Sequence, residues 1–315
     1  MAVSRIIAKH IGQEPGPLLI VFGGMHGNEP AGVKAIDMMG KMLEVEPITN
    51  PEFKYSGSFL GLIGNVQAFD SNQRFIDYDL NRSWTAENLA IVMSHDEDQL
   101  TNELLEIKQI LKVVNDTIDE IKPSKVIILD LHTTSSYGGI FSIVTDDPES
   151  LKIAVELHAP VVKGMLEGIK GTSLHYFTEE FFGVDMVPVT FESGQHTEQM
   201  SVNRAIAAIT NCMRTIGSVS PNHVENQHDD LLIQHSKDLP KVSRLIFKHS
   251  IEEGDSFRMK EGFKNFQRVV KDEVLGYDKQ GEITAPEDAL ILMPLYQKQG
   301  EDGYFLINKL EDWKS

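Results

Sequence analysis

The sequence predicts an α/β fold with a smaller, mainly β C-terminal domain. Three observations point there. Up to about residue 217, short β-rich apolar runs alternate with helix-length amphipathic stretches, which is the pattern of an α/β unit. Residues 125–131 (KVIILDL) form a nearly continuous apolar run, as expected for a central parallel strand covered on both faces. Beyond residue 240, short segments separated by Gly, Asp and Pro read as strands without intervening helices. The expected organisation is a larger unit over 1–217, a connecting segment over 218–240 and a small β domain over 241–315.

Taken in order, residues 18–22 are an apolar strand, and the glycine-rich turn FGGMHGNEPAG over 22–32 leads into a helix from 33 to 42. Residues 57–64 (GSFLGLIG) are a second strand, followed by a loop rich in Asn, Asp and Arg over 74–82. Leu100, Leu104, Ile107, Ile110, Leu111, Val114, Ile118 and Ile121 recur at the three-and-four spacing of an amphipathic helix, which Pro123 ends. After the strand at 125–131 come a strand at 139–144, a helix over 148–168, a strand at 186–191 and a helix over 198–216. The polar stretch 217–240 leaves room for a short helix around Leu231. Short strands follow at 242–249, 266–270, 281–285, 289–293 and 304–308.

Composition excludes several functions. A formal net charge of -18 is the wrong sign for a broad nucleic-acid or anionic-membrane surface. Cys212 is the only cysteine, so neither a disulfide framework nor a cysteine-based metal site is available within the chain. No stretch reaches the length of a membrane span, and the first residues lack the apolar core of a secretory signal, so a cytoplasmic location is expected. A homo-oligomer is left open.

The chemistry gathers at strand ends. His26 and Glu29 share the first turn, and imidazole with carboxylate suits a divalent metal, zinc above all. On those residues alone the simpler reading is a turn histidine with Glu29 set against the helix N-terminus. His132 follows the strand at 125–131, where ligands bind in open α/β sheets. Two histidines and a glutamate leave a fourth tetrahedral position open. Asp130, two residues earlier on the same side of its strand, can orient a histidine ring, or can be a plain strand-end acid. Glu192 ends another apolar strand and suits a general base beside a metal site. Arg74, Asn81 and Arg82 offer donors for a carboxylate, and an arginine near the metal can stabilise an oxyanion. His95, His158, His175, His223, His249 and Cys212 fall in no ligand-like pattern and are expected to be structural or exposed.

The segments GGMHGNEP (23–30), RFIDYDLNR (74–82), DLHTT (130–134) and FESG (191–194) together resemble the succinylglutamate desuccinylase and aspartoacylase family, within the zinc carboxypeptidase-like hydrolases. The four motifs stand in the family's order and span most of residues 18–216. The resemblance implies a zinc-carboxypeptidase-like mixed sheet flanked by helices. It also implies one Zn2+ per chain held by His26, Glu29 and His132, with Glu192 as general base and Arg74 polarising the scissile carbonyl. Asn81 and Arg82 would hold the amino-acid carboxylate, and a tyrosine of the C-terminal domain, Tyr304 or its competitor Tyr296, would reach the substrate. The implied activity is removal of the acyl group from a small N-acyl amino acid. A peptide-cleaving metallocarboxypeptidase and a non-catalytic ligand-binding relative are the alternatives. Phe182 stands where aspartoacylase has an arginine that grips the aspartate side chain, so N-acetylaspartate is not supported as substrate and a neutral or basic amino-acid portion is an alternative.

Overall fold

The computed structural model describes residues 3–223, 227–252 and 254–313. Its framework is an eleven-stranded mixed sheet. In chain order the strands are β1 (Ile6–Ile11), β2 (Glu14–Gly23), β3 (Ser56–Ile63), β4 (Lys125–Thr134), β5 (Phe141–Val144), β6 (Val161–Lys163), β7 (Asp185–Gln195) and β8 (Val242–Ser250). They continue as β9 (Arg258–Met259), β10 (Gln267–Val269), β11 (Val274–Asp278), β12 (Gly281–Thr284), β13 (Ala289–Leu292) and β14 (Asp302–Lys309). The spatial order is β1-β3-β2-β4-β7-β5-β6-β8-β14-β13-β10, with β12-β11-β9 as a separate small sheet. Strands β3, β2, β4 and β7 run parallel in the centre. The ends of β2, β4 and β7 therefore open on one edge, the edge at which an open α/β sheet binds ligands.

Side-chain alternation sends neighbouring residues of each central strand to opposite faces. Leu19, Val21, Ile127, Leu129, Val187 and Val189 pack with Ile36 and Met39 of the helix Pro30–Thr49 and with Ile209 of the helix Met200–Thr215. Leu18, Ile20, Val126, Ile128 and Met186 pack instead with Ile107, Ile110 and Val114 of the helix Asn102–Ile121. Burial on both faces explains the continuous apolar runs. Each fully buried Leu or Ile here contributes roughly 1.5–3 kcal/mol.

Two expectations change. The helix expected over 148–168 stops at Glu156; His158 turns left-handed with φ 57°, Pro160 brings no N–H, and Val161–Lys163 becomes a strand beside β8. The expected division after residue 217 is not a break in the sheet, because β8, β14, β13 and β10 continue it beyond β6. The short helix expected near Leu231 is present as Gln227–Ser236 and packs on Met200–Thr215.

Candidate metal centre

Two glycines show why the first turn has its composition. Gly24 has φ +67°, in the left-handed region that favours glycine. At Gly27 a Cβ would stand 2.1 Å from the carbonyl carbon of Ala68, so only glycine allows the turn to lie against the segment after β3. The chain then enters the helix at Pro30, with Glu29 in the capping position. Glu29 makes no capping hydrogen bond with its side chain. Its carboxylate is turned to the sheet edge instead, where Oε2 accepts from the Thr133 N–H at 2.8 Å.

His26, Glu29 and His132 form a buried group whose ligand atoms all lie within 4.8 Å of one another, able to hold a metal ion. His26 Nδ1 stands 2.8 Å from Glu29 Oε1, and His132 Nδ1 stands 3.3 Å from Glu29 Oε2. Both rings therefore turn Nδ1 toward the shared carboxylate. Their other nitrogens are held by acids: His26 Nε2 lies 3.0 Å from Asp79 Oδ1, and His132 Nε2 lies 3.1 Å from Asp130 Oδ2. A carboxylate behind each imidazole fixes its orientation and raises its basicity, the arrangement usual behind metal-ligating histidines. Two oriented imidazoles and one carboxylate fit the donor set of a catalytic zinc site.

The charges reflect this crowding. Burial disfavours a charged His132 ring, yet Asp130 and Glu29 together hold its pKa well above the ordinary histidine value. Burial likewise opposes ionisation of Glu29 and Asp79. His26 and His132 still hold the Glu29 carboxyl well below its usual range, as His26 and Arg74 do for Asp79. Glu192 goes the other way. It pairs in register with His132 across β4 and β7, and burial, together with the nearby Glu29 and Asp130 charges, pushes it up to about 8. Its Oε2 is buried without a hydrogen-bond partner.

Arg74 donates from Nη2 to Asp79 Oδ2 at 2.9 Å, and its Nη1 lies 3.5 Å from Glu29 Oε1. Asn81 accepts from the Ser173 N–H at 2.9 Å and sets its amide nitrogen 3.4 Å from His132 Nε2. Arg82 donates to the Asn81 carbonyl at 2.8 Å and to Asp302 Oδ2 at 2.7 Å. Burial works against its charge, but Asp79 and Asp302 raise its pKa further. Arg74, Asn81, Arg82 and Asp302 line one cleft of about 110 Å³ with His26, Glu29, His132 and Glu192.

Tyr304 is not among the residues lining that cleft. It is fully buried in the C-terminal core, its ring stacked on His249 at 5.2 Å between centroids. The alternation along β14 explains this: Phe305, its neighbour, faces the cleft, so Tyr304 must face away. Tyr296 lines the neighbouring hollow, and its hydroxyl donates to the Lys260 carbonyl at 2.9 Å. Phe182 also stands outside the cleft, stacked on Phe177 at 5.4 Å in an aromatic cluster.

Several residues now seen at the site carried no recognisable signal in the sequence. Asp79 lies in the segment RFIDYDLNR (74–82), but no sequence spacing links it to His26. His196 lines the cleft, taking a hydrogen bond from the Thr133 hydroxyl at 2.7 Å on Nδ1 and reaching Gln297 Oε1 from Nε2 at 3.2 Å. That assignment suits a neutral ring, and burial lowers its pKa. Gln297 also accepts from Asn28 at 3.1 Å, so the chain between β13 and β14 is tied to the first turn. Of the histidines expected to be structural, His175 bridges two cleft-lining residues, Thr172 and Leu166, His95 is exposed, and His158 and His249 face other parts of the fold. The side chain of His223 lies outside the described residues. Cys212 is buried in the core. Among the described residues no helix is long and apolar enough to cross a membrane.

A profile of the succinylglutamate desuccinylase/aspartoacylase catalytic domain matches residues 15–216. A probable aspartoacylase from Nostoc sp. is 33% identical over 147 residues, covering 45% of this chain and 45% of the relative. Aspartoacylase from Rattus norvegicus is 32% identical over 147 residues, covering 43% and 40%. The matches thus span less than half the length of these curated relatives. Among solved structures, a succinylglutamate desuccinylase/aspartoacylase from Rhodobacter sphaeroides aligns with TM-score 0.65 at 16% identity, covering 95% of this chain and 87% of the other. A variant of murine aminoacylase 3 aligns with TM-score 0.61 at 16% identity, covering 95% and 96%. At such identities the structural matches speak for the fold alone.

Proposed function

The chain belongs to the succinylglutamate desuccinylase/aspartoacylase family, and from that premise we propose that it is a zinc-dependent hydrolase that removes the acyl group from a small N-acyl amino acid. The observation that supports this most is the buried His26, Glu29 and His132 group with the unpartnered Glu192 carboxyl beside it. His26, Glu29 and His132 would hold one zinc ion. When bound, the ion supplies Lewis acidity to a carbonyl oxygen and makes water more acidic.

The chain's own residues would do the rest. Glu192 accepts the proton of the attacking water at its free Oε2 and returns it to the departing amine nitrogen. Arg74, fixed by Asp79, lends positive charge to the oxygen that becomes an oxyanion. Asn81 and Arg82 bind the amino-acid carboxylate, with Asp302 restricting the Arg82 fork to one orientation. Asp79 and Asp130 act through the histidines they orient and touch no substrate.

The cleft is small and is lined on one side by residues of the segment between β13 and β14, which favours a compact substrate over a polypeptide. Replacing Glu192→Ala is expected to leave zinc content unchanged and to lower kcat by at least ~100-fold, the scale of a lost general acid/base. Near-normal turnover by that variant would remove Glu192 from the proton-transfer role.

A further inference from the structure

Resting on this deacylase assignment, we propose that the cleft selects ligands with a single carboxylate and one apolar group, borne either by the amino-acid side chain or by the acyl chain. The wall that carries this is made by Ile143, Leu166, Ile169, Leu174, Met293 and Phe305. Ile143, Ile169 and Phe305 belong to the apolar cluster between the main sheet and the C-terminal strands, and Leu166 and Met293 pack against it. The cleft is therefore a breach in the surface of a hydrophobic core. Water in contact with that wall is displaced favourably only by an apolar group.

Four hydroxyls of the cleft are already engaged. The hydroxyls of Thr133 and Thr172 bond to His196 and His175, that of Thr134 donates to the Ser136 carbonyl, and that of Ser135 is met by the Tyr296 N–H. The cations are engaged too. Arg74 is paired with Asp79, and Arg82 with Asp302, which also draws Lys248 to 3.2 Å. Glu301 and Asp302 stand at the cleft as well. One substrate carboxylate can share Arg82. A second would be desolvated against an apolar wall, near two acids and without a cation of its own, which is costly.

The test is binding, read by calorimetry on the zinc-loaded full chain carrying Glu192→Gln, so that no ligand is consumed. N-acetyl-L-phenylalanine places the apolar group on the side chain, N-octanoylglycine places it on the acyl chain, and N-acetyl-L-aspartate carries a second carboxylate. At least one apolar ligand is expected to bind ~10-fold or more tightly than N-acetyl-L-aspartate, the scale at which a pocket distinguishes such groups. Whichever of the two binds more tightly identifies the source of the apolar group. Equal or tighter binding of N-acetyl-L-aspartate, or no binding of either apolar ligand, overturns the proposal. Hydrolysis by the unmutated protein is measured separately. Failure to cleave any of the three, with the apolar preference intact, removes the deacylase assignment and leaves the apolar subsite standing.

Leu166 and Met293 are only partly buried, so Leu166→Arg and Met293→Lys each add a cation at the wall without a large loss of packing. In whichever of the two retains the thermal transition of the parent, the binding ratio is expected to move at least ~10-fold toward N-acetyl-L-aspartate. An unchanged ratio overturns the assignment of this wall.

Discussion

Asp79 and Asp130 hold the far nitrogens of the two imidazoles, so each histidine is aimed before any ion arrives. Removing one such acid leaves the ligands in place but frees a ring to turn. Asp79→Asn is expected to weaken zinc binding ~10- to 100-fold, as measured by competition with a fluorescent chelator, because outer carboxylates act on that scale. Unchanged affinity would show that His26 needs no such support. Protonation gives a second test. Above the ordinary histidine range His132 still carries a proton, and Glu192, pushed up to about 8, is protonated at pH 7. A cation at the site requires the first proton to leave and favours loss of the second. Zinc uptake at pH 7 is therefore expected to release on the order of one proton or more, and apparent affinity should rise with pH until His132 is deprotonated. Calorimetry in buffers of different ionisation enthalpy measures this release; proton uptake would contradict the charge assignment. Residue by residue, His26, Glu29, His132 and Glu192 were legible because each ends or follows an apolar strand. Asp79 was not, since its partner His26 lies 53 residues away and no spacing rule joins a loop aspartate to it.

At the scale of elements, the loop that carries Arg74, Asp79, Asn81 and Arg82 is organised from outside itself. Glu103, fully buried in the first turn of the helix Asn102–Ile121, accepts from the backbone N–H groups of Ile76 at 2.7 Å and Asp77 at 3.1 Å, and from the Asn65 side chain at 3.0 Å. One turn later Glu106 accepts from the Gln67 N–H and pairs with the buried Arg5. The sequence marked that helix only as an apolar stripe, and Glu103 and Glu106, at the N-terminal end of the same buried face, hold the site's loop. Glu103→Ala leaves several buried donors without an acceptor and is expected to cost about 3 kcal/mol in denaturant unfolding. Amide exchange at residues 76–78 should accelerate with it. Loss of stability without faster exchange there would place the role of Glu103 elsewhere. Helix and strand types were mostly readable from periodicity, whereas the break near His158 depends on β8, which follows some 80 residues later and supplies the pairing for Val161–Lys163.

For the whole molecule, the sheet joins what the composition separates. Local patterns showed a helix-rich N-terminal part and a β-rich C-terminal part, but not that β8 and β14 extend the central sheet. That continuity brings Met293, Gln297, Asp302 and Phe305 to a cleft whose buried histidines and glutamates come from the turn after β2 and from β4 and β7. The tyrosine expected to reach the cleft illustrates the limit: Tyr304 and Phe305 are adjacent, and only the register of β14 decides which faces inward. Central to this account is a zinc-dependent hydrolysis of N-acyl amino acids at the His26, Glu29 and His132 centre. The most direct test is turnover of a panel of N-acyl amino acids by protein loaded with zinc, then stripped with chelator, then reloaded. The account predicts cleavage of at least one member, abolished by stripping and restored by zinc; turnover that survives stripping, or protein that binds no zinc, would contradict it.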